Sequence, residues 1–225
     1  MNKFFVPTTS PLDWRRLLAE PDKHWKSGRS AKTLAYSWEE SQGFPSEVLT
    51  VLGASAPFAD IEMLVAIPEH QVPLPGGTRP SQSDIWVLAR TDSALVSIAV
   101  EGKVEEPFGP TLDEWFAEGS QGKETRLTFL REQLELPEVP PGSVRYQFLH
   151  RTASAVIEAK RFHAAHAVLL VHSFSQSYEW FSDYAAFATL FGAEVGVNRL
   201  VSVGERGGVS LHLCWVCGEA RYLAS

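Results

Sequence analysis

Asp84 and the triplet Glu101-Gly102-Lys103 are the residues in this sequence whose types and spacing could do chemistry. Each lies at the polar end of an apolar stretch: Asp84 stands near the start of SDIWVLAR, and Glu101 and Lys103 near the end of ALVSIAVEGKV. Two carboxylates held close together repel unless a cation sits between them, and hard oxygen donors of this kind suit Mg²⁺ or Mn²⁺. A neighbouring ammonium adds positive charge where an attacking water or a phosphate must be stabilised. The chemistry this implies is metal-assisted hydrolysis of a phosphodiester.

The groups meet only if the chain brings them together. SDIWVLAR and ALVSIAVEGKV have the composition of β-strands, and the polar TDS between them reads as a hairpin connection. A loop over Thr91 to Ala94 sets Arg90 opposite Leu95, and paired residue numbers then sum to a constant, so Asp84 falls opposite Glu101. Directly opposed residues share a face with Cβ atoms roughly 4.5–5.5 Å apart, and Lys103, two positions on, joins Glu101. A slip of one residue would turn the two acids away from each other. The plain alternative is a salt-bridged hairpin end, with Glu105 and Glu106 as its solvated edge.

Around this hairpin the hydrophobic period alternates between helix and strand. PLDWRRLLAE reads as a short helix begun by Pro11, and SGRSAKTLAYSWEESQG as a longer one with Ser30 as cap and Ala31, Leu34, Ala35 and Trp38 on one stripe. PSEVLTVLG is a third helix, and IEMLVAIPEHQVPLPGG a strand that ends at Pro68 and becomes a loop. After the hairpin come helices in TLDEWFAEG, KETRLTFLREQLEL and SVRYQFLHRTASAVIEAKRF, then the continuous apolar strand HAVLLVHSF. The helix YEWFSDYAAFATLFG and the strands NRLVSVG and GVSLHLCWVCG, joined by ERGG, complete the chain. This order implies an α/β fold with a mixed sheet between helices, in a single domain over residues 1–225.

The pattern Asp84 then Glu101-Gly102-Lys103 at the end of the neighbouring strand resembles the PD-(D/E)XK nuclease superfamily, in a bacterial branch of it; Ser83 stands where the motif's Pro would be. The resemblance extends to the order helix, three strands, helix, strand over residues 30–172 and implies a restriction-endonuclease-like αβββαβ core, here with an extra C-terminal helix and strands. It further implies that Asp84 and Glu101 are metal ligands, that Lys103 is catalytic, and that Mg²⁺ or Mn²⁺ is the cofactor. Members often carry another acidic residue on the helix before the strands; Glu39 flanks the apolar stripe there whereas Glu40 points away, so Glu39 is the expected one. A Gln or basic residue on the later helix would contact substrate, a role Gln147 and Arg151 fit at i and i+4. The substrate expected is nucleic acid, DNA first.

Composition narrows the alternatives. A chain of 225 residues, 44% hydrophobic with seven Trp, buries a substantial core. The apolar run before Pro7 is far shorter than a signal-peptide core and no window approaches a membrane span, so a soluble cytoplasmic protein with no membrane partner is expected. A net charge of −7 works against a wide polyanion-binding surface, leaving local basic clusters at Lys23 to Lys32 and Arg145 to Arg161. Cys214 and Cys217 lie inside a strand-like run and read as core or edge thiols rather than a redox or zinc pair. His163, His166 and His172 read as hydrogen-bonded structural histidines, and Trp14, Trp25, Trp38 and Trp86 as packing residues. The competing function is a non-catalytic binding or assembly module on the same scaffold, a homodimer formed through LHLCWVCG.

Overall fold

The computed structural model describes residues 8–225. The apolar run before Pro7, and the reading of the N-terminus based on it, lie outside the described residues. After a 3-10 turn over Pro11–Leu17 the elements are α1 (Pro21–His24), α2 (Ser30–Ser41), α3 (Ser46–Gly53), β1 (Glu62–Val72), β2 (Ser81–Arg90), β3 (Leu95–Lys103), α4 (Leu112–Phe116) and α5 (Gln121–Leu134). There follow α6 (Tyr146–Arg161), β4 (His166–Ser173), α7 (Phe181–Ala188), β5 (Arg199–Arg206) and β6 (Val209–Cys217). The strands form one six-stranded open sheet in the order β1-β2-β3-β4-β6-β5. β3, β4 and β6 run parallel, while β1, β2 and β5 are antiparallel to their neighbours, giving the mixed sheet expected.

A hydrophobic cluster lies on each side of the sheet. On one side Leu34, Ala35 and Trp38 of α2 and Val48 and Leu52 of α3 pack on Val168 and Leu170 of β4 and on Cys214 and Val216 of β6. On the other, Phe148, Ala155 and Val156 of α6 and Tyr184 and Phe187 of α7 cover Ala167, Leu169 and Val171 of β4 and Leu211, Leu213 and Trp215 of β6. The unbroken apolar run of β4 follows from this, because a central parallel strand is buried on both faces. Cys214 belongs to one cluster and Cys217 packs against the other, and both thiols are free.

Three local expectations need correction. β1 does not end at Pro68 but continues to Val72, with Pro68 paired to Ile85 and His70 to Ser83. Proline is tolerated because β1 is an edge strand, where a missing N–H need not break a ladder. Ser30 is the first residue of α2 rather than its cap; its free N–H donates to Glu106 Oε1 at 2.8 Å. The apolar segment LHLCWVCG, expected as a dimer face, lies mostly in β6, whose two edges are taken by β4 and β5 and whose Leu211 to Val216 side chains are buried within the chain. Among the described residues no helix is long and apolar enough to cross a membrane.

Candidate active site

The site is built by strand register. Arg90 pairs with Leu95, and the ladder runs without a shift to Ile85 opposite Val100, so one further step sets Asp84 across from Glu101. The turn that enforces this is closed by Thr91, whose N–H donates to Ala94 O at 2.8 Å and whose Oγ1 accepts from Ala94 N at 3.2 Å. Asp84 Oδ2 accepts the Gly102 N–H at 2.7 Å, tying the aspartate to the glycine between Glu101 and Lys103. A Cβ on Gly102 would stand 3.1 Å from Leu34 Cδ2 and 3.3 Å from Asp84 Oδ2, so glycine admits both α2 and the carboxylate here.

Glu101 is buried and hydrogen-bonded through both its oxygens. Its Oε1 accepts from Lys103 Nζ at 2.7 Å and Gln147 Nε2 at 2.6 Å, and its Oε2 accepts from Arg151 Nε at 2.8 Å. Gln147 and Arg151 are therefore brought to the site, one turn apart on α6, with Glu101 as their common partner. Lys103 is also buried, its ammonium 4.8 Å from the centre of the Phe108 ring. Burial works to raise the Glu101 pKa, but the Lys103 and Arg151 charges and their hydrogen bonds hold it below the ordinary carboxylate range.

Sequence reasoning missed a third carboxylate. Glu69 on β1 falls across from Asp84 by the register of its neighbours and adopts φ 54°, a left-handed conformation uncommon outside glycine. It accepts a hydrogen bond from Gln82 Nε2. Burial first, then the Asp84 charge, pushes the Glu69 pKa up to about 8. Burial first, then the Glu101 charge, pushes Asp84 up to about 7 against the pull of Lys103, Arg151 and the Gly102 N–H. The three acids titrate as one coupled set, in which Glu101 keeps its charge most firmly. The sign that could have exposed Glu69 is its place beside a proline that only an edge strand accommodates.

The expected fourth acid is elsewhere. Glu39 Oε1 accepts the indole N–H of Trp14 at 2.7 Å, and Glu39 does not line the cavity into which the other groups open. Its position beside the buried stripe of α2 makes it a partner for Trp14, a correction to the role assigned from helical geometry. Glu106 also departs from expectation: it is part-buried, and Oε2 accepts from Val104 N and Glu105 N at 3.1 and 2.9 Å while Oε1 holds Ser30. Burial opposes its ionisation, yet these bonds keep its pKa low.

A cavity of about 760 Å³ covers the cluster, with Glu69, Asp84, Glu101 and Lys103 among its lining residues. One wall comes from residues 18–31, another from Glu106 to Pro110, and a third from Tyr146 to Arg151. Within the third, His150 Nδ1 lies 2.8 Å from Ser81 Oγ, which Arg151 Nη1 also approaches at 3.3 Å. Burial, followed by the Arg151 and Arg126 charges, holds His150 well below its ordinary pKa and therefore neutral.

Among the described residues no group of three or more His, Cys, Asp or Glu is arranged as a ready metal cage. The donor chemistry still fits a small hard cation, because Mg²⁺ needs only one or two protein carboxylates and keeps several waters. Among the described residues Asp84 Oδ1 and Glu69 Oε1 have no hydrogen-bond partner, whereas both Glu101 oxygens accept. Asp84 and Glu69 also carry raised proton affinities, set first by burial and then by the neighbouring carboxylate charge.

Residues 7–220 match the model of a domain family of unknown function, DUF6946, and the chain belongs to that family. No curated protein matches the chain. No solved structure matches it either.

Proposed function

We propose that the protein is a metal-dependent phosphodiester hydrolase with a restriction-endonuclease-like core, acting on nucleic acid and on DNA first. The observation that carries the reading is the register-imposed opposition of Asp84 and Glu101, with Lys103 bonded to Glu101, on the floor of a cavity. With α3 inserted after α2, and α4 and α5 after β3, the order α2, β1, β2, β3, α6, β4 supports the fold, since it follows the αβββαβ order that the motif implies.

Asp84 and Glu101 would hold Mg²⁺ or Mn²⁺, with Glu69 as the additional carboxylate the chain itself offers. When bound, the ion supplies Lewis acidity to a phosphoryl oxygen and lowers the pKa of a bound water. Lys103 places its amine at the carboxylates, where it orients a water by hydrogen bonding and offsets charge building on the phosphorane oxygens. Gln147 and Arg151 position Glu101 by fixing both its oxygens, and Arg151 adds a second cation to the pocket.

The test is digestion of supercoiled plasmid and single-stranded oligonucleotide with Mg²⁺ or Mn²⁺, beside Lys103→Ala and Asp84→Ala proteins. Cleavage by the parent and its loss in both variants supports the reading; cleavage retained in both eliminates the assigned roles. A second reading, a non-catalytic binding or assembly module, is favoured by one observation: both Glu101 oxygens already accept from the protein's own donors. Metal titration separates the two, because a scaffold binds no Mn²⁺ through Asp84 and Glu101.

A further inference from the structure

The mouth of the cavity differs from its floor. Lys23, Lys26 and Arg29, all exposed, line it from the segment around α1 that precedes α2. Lys23 makes a solvent-exposed ion pair with Glu20 at 3.2 Å, while the side chains of Lys26 and Arg29 have no hydrogen-bond or ion-pair partner among the described residues. Uncompensated cations at the rim of an acidic pocket, in a chain of net charge −7, concentrate attraction for a polyanion at one opening. The catalytic floor lies below that rim: Glu101 is 3% and Lys103 5% exposed.

A scissile phosphate must descend past the rim to reach Lys103. The space it enters, about 760 Å³, falls within the size range of small-molecule pockets and is bounded on three sides by residues 18–31, 106–110 and 146–151. A double helix, whose major groove alone is about 12 Å wide, brings both of its backbones to that opening together. One strand, or a frayed end, presents a phosphodiester without the second backbone.

On these grounds, and resting on the hydrolase reading above, we infer that the substrate enters as a single nucleic-acid strand, guided by the 23–29 wall, and that an intact duplex is excluded from the floor. The phosphates outside the scissile one meet Lys23, Lys26 and Arg29, so the footprint is short and the binding strongly salt-dependent.

The experiment is fluorescence anisotropy of the full-length protein with a labelled oligothymidylate and with a blunt-ended hairpin duplex, in Ca²⁺, across a salt series. The single strand is expected to bind at least about tenfold tighter than the duplex. In the Lys23→Gln/Lys26→Gln/Arg29→Gln protein the slope of log K against log salt should shrink by about 2, since each strand phosphate neutralised contributes roughly 0.7. Far-ultraviolet circular dichroism checks that this exposed triple variant is folded. Equal affinity for the two probes, no binding of either, or an unchanged slope in the folded variant overturns the inference. The readouts also separate the two proposals: a selectively bound strand that no metal renders cleavable defeats the hydrolase while leaving the access route standing, and cleavage with equal duplex affinity does the reverse.

Discussion

Two polar groups are buried in this molecule for different ends. Beneath α2 and α3, Trp38 Nε1 donates to His172 Nδ1 at 3.1 Å, and His172 Nε2 lies 3.1 Å from Glu47 Oε1. Each donor there meets one acceptor, the imidazole tautomer follows from its partners, and the group locks helices to β4. At the ends of β2 and β3 acceptors are in excess: three carboxylates share a pocket whose nearest cations, Lys103 and Arg151, both bond to Glu101. A network built for stability is balanced within the chain, whereas one built for function holds a surplus that a ligand must complete.

The comparison breaks most readily on activity. Lys103→Ala should lower cleavage by about 10³-fold or more while the protein still unfolds cooperatively, as read by digestion of a single-stranded oligonucleotide beside a thermal melt. A comparable loss of fold would make the cluster structural. The reverse holds on the other side, where Trp38→Ala should lose about 3–5 kcal/mol in denaturant unfolding, because the ring is fully buried against its neighbours. Divalent metal should raise the midpoint of the parent protein and not that of Asp84→Asn, a difference visible by scanning calorimetry without any substrate.

The smallest expected effect sharpens the contrast most. Asp84 and Glu69 have native pKa values raised to about 7 and about 8 from ordinary values of 3.8 and 4.5. Between those limits the native state binds more protons than the unfolded chain, so their contribution to stability is present below the unfolded values and lost as pH rises through the native ones. Glu69→Gln should therefore raise the melting temperature by a few degrees at about pH 8 and change it little at about pH 4, a gain of order 1 kcal/mol. An acid whose removal stabilises the fold is the signature of the surplus; a loss of stability at about pH 8 would remove Glu69 from it.

How much of this was legible depended on whether the deciding forces were local. The stripe of α2, the unbroken run of β4 and the hairpin register follow from period and turn length, which act within a few residues, so the approach of Asp84 to Glu101 could be read ahead. Glu69 could not, because Pro68 breaks a strand by local rule and only the edge position of β1, a property of the whole sheet, removes the penalty. Glu39 failed for a related reason: helical phase gives a direction but not the neighbour, and Trp14 had already taken the carboxylate. The partners of Glu101 were visible as a pair on α6, but their convergence on one carboxylate needed the packing of that helix against β3.

Glu106 has a mechanical consequence. One of its oxygens grips the first turn of α2 just beyond Arg29, and the other grips the chain as it leaves β3 beyond Lys103. The cationic lip and the acidic basin are thereby riveted through a single side chain, so a load on the lip is delivered to the backbone that carries Glu101 and Lys103.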